Sequence, residues 1–467
     1  MKFIFKNLGL LDQVELELSD LTLICGENNT GKTYATYAVY GFLRSWREML
    51  HIELDHEVDK LLKDTSQYRI NLAEMFDGKI DHYLERLGKA YTNVLPQAFA
   101  TNSAFFKNTV CVPVSSQATD FLMPEYQRSV QAGPRGKVLA TLQKEAGSNM
   151  LDVLVADSEV LHPFSGGLTQ FIVDAIADIV FAQHFPHVHI ASAERTGAAI
   201  FRKELNMART RMLKALNHIK SKELKRNPLY ILNHIDGGYA WPVEDNVDFV
   251  RQLEDIDKDN SELAKNHPDL LEHFDAIIGG SYKVVKEQLV FQAKSADKPR
   301  FTMNEASSCI RALLDVGFYL RCRARAGDLF MIDEPELNLH PKNQRAFARL
   351  VAQMVNAGIK VFITTHSDYL IKELNTLIML NQRTAHTRAV QQEHAYAESE
   401  LLDPSRVRLY MTAFVFEPAT AGGRRTKIRT LKAARIEPDR GIEVETFDDT
   451  IEIMNAIQSD LLYGGDF

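Results

Sequence analysis

Leu21-Thr22-Leu23-Ile24-Cys25-Gly26-Glu27-Asn28-Asn29-Thr30-Gly31-Lys32-Thr33 is the stretch on which the reading of this chain turns. An apolar run leads into Gly26, four residues separate it from Gly31, and Lys32 and Thr33 follow at once. Glycines let a backbone curl so that successive amides converge on phosphate oxygens, and the helix predicted over residues 32–50 adds free amides and its positive dipole end. Lys32 is suited to neutralise β- and γ-phosphates, and the Thr33 hydroxyl to enter a Mg²⁺ shell. Asn28, Asn29, Thr30 and Gly31 complete the cradle. ATP with Mg²⁺ is the expected ligand. The competing reading is a glycine turn that merely caps a helix, and two further segments weigh against it.

Leu329-Phe330-Met331-Ile332-Asp333-Glu334-Pro335 is an apolar strand ending in two carboxylates. In a parallel sheet that end lies at the C-terminal edge, where α/β proteins bind ligands. Asp333 suits Mg²⁺ through a water, and Glu334 suits a base for an attacking water. Lys360-Val361-Phe362-Ile363-Thr364-Thr365-His366-Ser367 reads as the neighbouring strand, so His366 emerges at the same edge and is placed to sense a γ-phosphate. Strands at 328–332 and 360–365 with a helix at 342–357 between them make a βαβ unit with parallel strands.

Around these motifs, residues 2–6 and 14–18 alternate as strands, residues 52–92 read as mixed and helical with Pro96 as a stop, and residues 105–164 are β-rich. A helix near 168–184 precedes a strand in His187–Glu194. Residues 199–280 are polar and helical, and are taken as an inserted arm. Strands at 282–291 and 299–303 and a helix over 306–326 follow. The tail reads as a helix, a β-hairpin around Gly422-Gly423, then a closing strand and helix. The expected organisation is an α/β ATPase head of mixed or parallel sheet flanked by helices. Residues 1–198 form its N-terminal part, 199–280 the helical arm, and 281–467 its C-terminal part.

Composition agrees with a globular chain: 45% hydrophobic and 25% charged residues leave enough apolar mass for a core. A formal charge of −8 argues against bulk coating of nucleic acid. The four cysteines have no paired spacing for zinc or a disulfide framework, and they point to a reducing cytoplasm. The polar residues Lys6, Asn7, Asp12 and Glu15 break the start of the chain, so no signal peptide is expected there, and no apolar run is long enough for a membrane span.

The ordered set GENNTGKT, NEASSCIRALLDVGFYL, FMIDEPELNLHP and VFITTHSDYL resembles the ABC-type ATPases that include SMC, Rad50, RecF and the OLD-like proteins. The resemblance implies a homodimer or higher homo-oligomer in which a signature segment closes over ATP bound to the other subunit. Carried onto this chain, Ser307 and Ser308 touch the γ-phosphate in trans with Arg311 nearby, and Asn338 and His340 fall in the inter-subunit loop. Ser307-Ser308-Cys309 departs from the transporter signature, where Gly-Gly follows the serine. A plain helix N-cap is the other reading of these serines.

A narrower likeness runs through Ala193-Glu194-Arg195-Thr196-Gly197, EPELNLHP, THSDYL and GIEVETFDDTI. It is similar to bacterial antiphage ATPases, above all the PtuA family of Septu systems, with the AriA ATPases of PARIS defence related. That implies a sensor or regulator of a separately encoded nuclease (HNH, PtuB-like) or toxin. A RecF- or SMC-like DNA-repair ATPase and an OLD-like nuclease ATPase are the alternatives. No Toprim or HNH cluster is recognised in the chain itself. Glu194 and Arg195 read as a structural ion pair.

Weaker features remain. His184, His187 and His189 cluster without a cysteine or carboxylate to complete a metal site. Residues 202–226 are rich in Lys and Arg, with Glu204 and Glu223 as the acids, and 424–435 is a second basic cluster. Each reads equally as a grip on nucleic acid or an acidic partner and as a solvated face.

Overall fold

A computed structural model describes residues 1–62, 67–115, 125–131, 138–155, 165–202, 238–286, 288–416, 427–443 and 454–459. Its centre is a nine-stranded mixed sheet, ordered Val110–Val114, Lys2–Leu8, Leu11–Glu17, Lys427–Ala433, Val407–Phe416, Leu21–Cys25, Lys360–Thr365, Leu329–Asp333, Val188–Ala191. From Val407–Phe416 to Val188–Ala191 neighbouring strands run parallel, whereas the opposite flank is mostly antiparallel. The fold class is α/β, as the motifs require.

The apolar runs exist because both faces of the parallel half are covered. Leu21–Cys25 and Leu329–Asp333 are buried at every position. Successive side chains point to opposite faces, so Phe330 and Ile332 join one core with Leu21, Leu23 and Val361, while Leu329 and Met331 join the other with Ile24 and Phe362. Helix Lys32–Leu61 packs into the second core through Ala35, Val39, Phe42 and Trp46. It runs past the expected end at residue 50.

Four antiparallel strands, Gln67–Asn71, Met150–Val155, Val138–Lys144 and Tyr126–Gln131, form a separate small sheet. Pro96 does not stop its helix: Ile80–Ala98 closes two residues later, with the Phe99 amide on the Leu95 carbonyl, because a proline within the last turn forfeits little of the remaining ladder. The single strand expected at 282–291 is a hairpin instead, Gly280–Val285 against Gln288–Ala293, turned at Lys286 with φ 52°. The helix expected over 306–326 is broken at Leu313 into Ser308–Ala312 and Leu314–Cys322.

Of the residues expected in the arm, 203–237 and with them most of the first basic stripe lie outside the described residues. The described remainder packs on the head: Val250, Leu253, Leu270 and Phe274 are buried in the same core as Leu314 and Phe318. Arg202 pairs with Glu254 at 2.6 Å. Among the described residues no helix is long and apolar enough to cross a membrane.

Candidate functional site: a nucleotide cradle at one sheet edge

Three adjacent parallel strands bring the motifs together. Cys25 is in register with Thr365, and Thr364 with Asp333, so the loop 26–33, the Asp333-Glu334 turn and His366 all leave the sheet at one edge.

The loop needs its glycines. Gly26 has φ 145° and Gly31 φ 105°; a Cβ would sit 2.1 Å from Thr412 Oγ1 at the first and 2.7 Å from Leu11 Cγ at the second. Asn29, at φ 59°, adopts the left-handed turn that asparagine tolerates. The Thr30 hydroxyl donates to the Glu27 carbonyl at 2.7 Å and accepts from the Thr412 hydroxyl at 2.9 Å. Gly31 caps helix Lys32–Leu61, whose first turn holds no acid to compete with an anion for the amides. Asn28 and Thr33 are exposed. The buried Lys32 ammonium donates to the carbonyls of Gly26 at 3.1 Å and Glu27 at 2.6 Å. Burial pushes its pKa below the ordinary lysine value, against the opposing pull of Glu334 and Asp333. A desolvated ammonium satisfied only by backbone dipoles is a fitting partner for phosphate oxygens.

Asp333 is buried and accepts from the Thr364 hydroxyl. Burial drives its carboxyl from the usual 3.8 up to about 6. Among the described residues no three of His, Cys, Asp and Glu gather to hold a metal. Buried Asp333 and the exposed Thr33 hydroxyl are oxygen donors of the kind Mg²⁺ takes, an ion that keeps waters and draws its other ligands from substrate phosphates.

The folded chain keeps the Asp333 proton at a pH where the unfolded chain has lost it. Stability without ligand therefore falls as pH rises from about 4 to about 6, and the full penalty, roughly 3 kcal/mol, is present above that window. Asp333→Asn removes the penalty and still accepts from Thr364. In EDTA it is expected to raise the melting temperature by about 3 °C at pH 7.5 and hardly at pH 4, at roughly 1 °C per kcal/mol for a chain of this length. An equal gain at both pH values would show that charge burial is not the cause.

Glu334 sits at φ 50°, unusual for a side chain with a Cβ. Two sets of bonds hold it there: its amide donates to the Thr364 carbonyl at 3.1 Å and hydroxyl at 3.2 Å, and its carbonyl accepts from Arg195 at 2.7 Å. Its carboxylate lies 3.3 Å from His366 Nε2, with 30% of the Glu334 and 28% of the His366 side chain exposed. Glu336, which the motif reading passed over, fixes the histidine loop: its carboxylate accepts from the Thr365 hydroxyl at 2.9 Å and the His366 amide at 2.6 Å. Burial raises its pKa.

Arg195 is the larger omission. It does not pair with Glu194. Its guanidinium, 1% exposed, donates to the carbonyls of Ala312 at 2.8 Å, Ser192 at 3.0 Å, Asp333 at 2.6 Å and Glu334 at 2.7 Å. One side chain thus joins the acid-bearing turn to the end of helix Ser308–Ala312. Buried Asn246 extends the network, accepting from the Ser192 hydroxyl at 3.2 Å and donating to buried Asp315 at 2.8 Å. Glu194 instead accepts from the Tyr37 hydroxyl at 3.4 Å.

Ser307 and Ser308 are exposed, and Ser307 caps its helix by accepting from the Ile310 amide at 3.4 Å. Arg311 donates to the carbonyls of Met303, at 3.3 Å, and Ala306. Asn338, with φ 61°, donates to the Thr196 hydroxyl at 3.5 Å, and His340 Nδ1 accepts from the Lys342 amide at 3.2 Å as a helix cap. The three histidines go to separate partners. His184 bonds Ser115 at 2.8 Å, half-buried His189 stacks 4.7 Å from Tyr319, and His187 faces Asp328 at 3.9 Å.

The loop 26–33, buried Asp333 and the Glu334–His366 pair thus meet at one edge of an α/β sheet, the edge at which such sheets bind ligands. The sequence matches the family model described as AAA ATPase domain over residues 1–107 and 176–371, and the chain belongs to that family. Most of the small antiparallel sheet falls in the unmatched stretch 108–175. No curated protein matches the chain. Among solved structures it is similar to an SMC head bound to the C-winged helix domain of ScpA, at 12% identity and TM-score 0.35, covering 92% of this chain and 97% of that one. It is also similar to a Pyrococcus furiosus Smc head with an extended coiled coil bound to the C-terminal domain of ScpA, at 12% identity and TM-score 0.31, covering 98% of each chain. The SMC head domain from Thermotoga maritima, at 8% identity and TM-score 0.30, covers 93% of this chain and 98% of that one.

Proposed function

We propose that this chain hydrolyses ATP within a head-to-head homodimer or higher homo-oligomer, and that the cycle regulates a separate effector in cytoplasmic antiphage defence. The observation that carries the dimer is the half-open acid–imidazole pair of Glu334 and His366. A water activated there must be shielded from bulk solvent for the electrostatics to act at full strength. The exposed Ser307, Ser308, Asn338 and His340 supply the complementary surface from a second subunit, with Arg311 holding the turn before the serines.

Within each site Lys32 binds the β- and γ-phosphates, trading its two loop carbonyls for phosphate oxygens. Asn28, Asn29, Thr30 and Gly31 line the cradle, and Thr33 and Asp333 would hold Mg²⁺, which would supply neutralisation of charge on the phosphates. Glu334 takes the proton from the attacking water, and His366 orients toward the γ-phosphate. The effector reading, a Septu-like partner nuclease or toxin, is supported by the likeness of residues 193–197, 334–341 and 365–370 to antiphage ATPases.

Light scattering of Glu334→Gln with ATP and Mg²⁺ is expected to give twice the mass seen without nucleotide. Phage plating on cells carrying the gene with its neighbours is expected to rise when Glu334→Gln is introduced. A variant that stays monomeric with ATP bound would sink the dimer, and unchanged plating would sink the defence role.

A further inference from the structure

The flank of the phosphate loop away from the acids carries a second cluster. Strand Val407–Phe416 pairs with Leu21–Cys25 only as far as Met411, opposite Cys25, so its last residues run on past the sheet edge beside the loop. Thr412 anchors them there through its 2.9 Å bond to Thr30. Side chains on one face of a strand alternate, which puts Thr412, Phe414 and Phe416 on the loop-facing side. Their cross-strand partners are Leu431, Arg429 and Lys427.

Phe414 is 52% and Phe416 63% exposed. Lys427 Nζ lies 4.2 Å and the Arg429 guanidinium carbon 4.8 Å from the centre of the Phe414 ring. Arg429 Nε is shielded from solvent and has no hydrogen-bond partner, while its backbone amide is taken by Asp12 at 2.6 Å. Among the described residues no carboxylate pairs with either cation. Two exposed rings, one of them flanked by two cations that no described carboxylate neutralises, suit a flat aromatic ligand attached to phosphate.

The direction of the nucleotide follows from the site. Its terminal phosphate must face Glu334 and His366, which lie on the Lys360–Thr365 side of the loop, so the α-phosphate and nucleoside trail toward the opposite side. Thr412 and Phe414 are two strand steps apart, roughly 7 Å, the scale on which a base follows its phosphates. We propose that Phe414, walled by Phe416 and backed by Lys427 and Arg429, is the stacking platform for the purine base of the bound triphosphate. This rests on the reading of residues 26–33 as the phosphate site.

The test compares ATP with inorganic tripolyphosphate, which has the same phosphate chain without a base, by calorimetric titration of the full chain in Mg²⁺. Phe414→Ala is expected to weaken ATP roughly tenfold and leave tripolyphosphate unchanged, and Phe414→Tyr to restore ATP, on the scale of one lost aromatic–base stack. ATP affinity unchanged in Phe414→Ala, or equal losses for both ligands, overturns the proposal. So does a selective loss of single-stranded oligonucleotide binding with ATP unaffected, which would make the hairpin a nucleic-acid platform. A wild-type chain that binds neither ATP nor tripolyphosphate overturns the phosphate site itself, and that failure is separate from a failure of Phe414 alone.

Discussion

Glu334→Gln is expected to lower ATP turnover by about 10²–10⁴-fold, the usual worth of a positioned general base, while ATP still binds. The amide keeps the size of the carboxylate, and the backbone bonds to Thr364 and Arg195 that hold φ at 50° are untouched. What disappears is the oxygen proposed to take a proton from water and the negative charge 3.3 Å from His366 Nε2. Lys32→Ala separates binding from chemistry in the opposite sense. It removes the ammonium that the loop carbonyls now hold, and ATP affinity is expected to fall by about 10–100-fold, the cost of a charged hydrogen bond. Steady-state turnover and equilibrium binding on the two variants check both statements. Turnover in Glu334→Gln within twofold of wild type would remove Glu334 from the chemistry.

What could be read in advance follows from which atoms carry each feature. Phosphate binding restricts residue types at fixed spacing, so Gly26, Gly31, Lys32 and Thr33 are visible in one dimension, and the apolar strands beside them show by composition. The sheet edge that assembles Cys25, Asp333 and Thr365 was therefore legible from the motifs alone. Arg195 and Glu336 were not, because their partners are mostly main-chain carbonyls and an amide, which every residue type supplies, with the Thr365 hydroxyl the one side chain among them. Contacts across the chain were also hidden: Thr412 meets Thr30 only because a late strand inserts next to an early one. The hairpin at Lys286 lacked a signal for a different reason. A non-glycine residue turns the chain at positive φ, with no glycine or proline in 282–291 to mark the break and only the polar Lys286-Glu287-Gln288 standing there.

Arg195→Lys is expected to cut turnover about 10–100-fold, the cost of displacing a reacting group by an ångström or so, with ATP affinity nearly unchanged. A single ammonium cannot reach Ala312, Ser192, Asp333 and Glu334 together, as the planar fork does at 2.6–3.0 Å. The Glu334 carbonyl is the bond that matters. Left-handed backbone costs roughly 1–2 kcal/mol for a residue with a Cβ, and an unclamped turn relaxes and swings the carboxylate from its place beside His366. Arg195→Ala goes further, leaving buried carbonyls without donors at about 1–3 kcal/mol each, so loss of the fold is the expected result there and the lysine variant is the informative one. A merely structural arginine would reduce the fraction of chains able to bind ATP, with normal turnover in those that do. A positioning arginine leaves the number of ATP sites intact and slows each one. Titrating the sites with a non-hydrolysable ATP analogue before measuring turnover separates the two cases, and normal turnover per site in Arg195→Lys would reduce Arg195 to a structural strut.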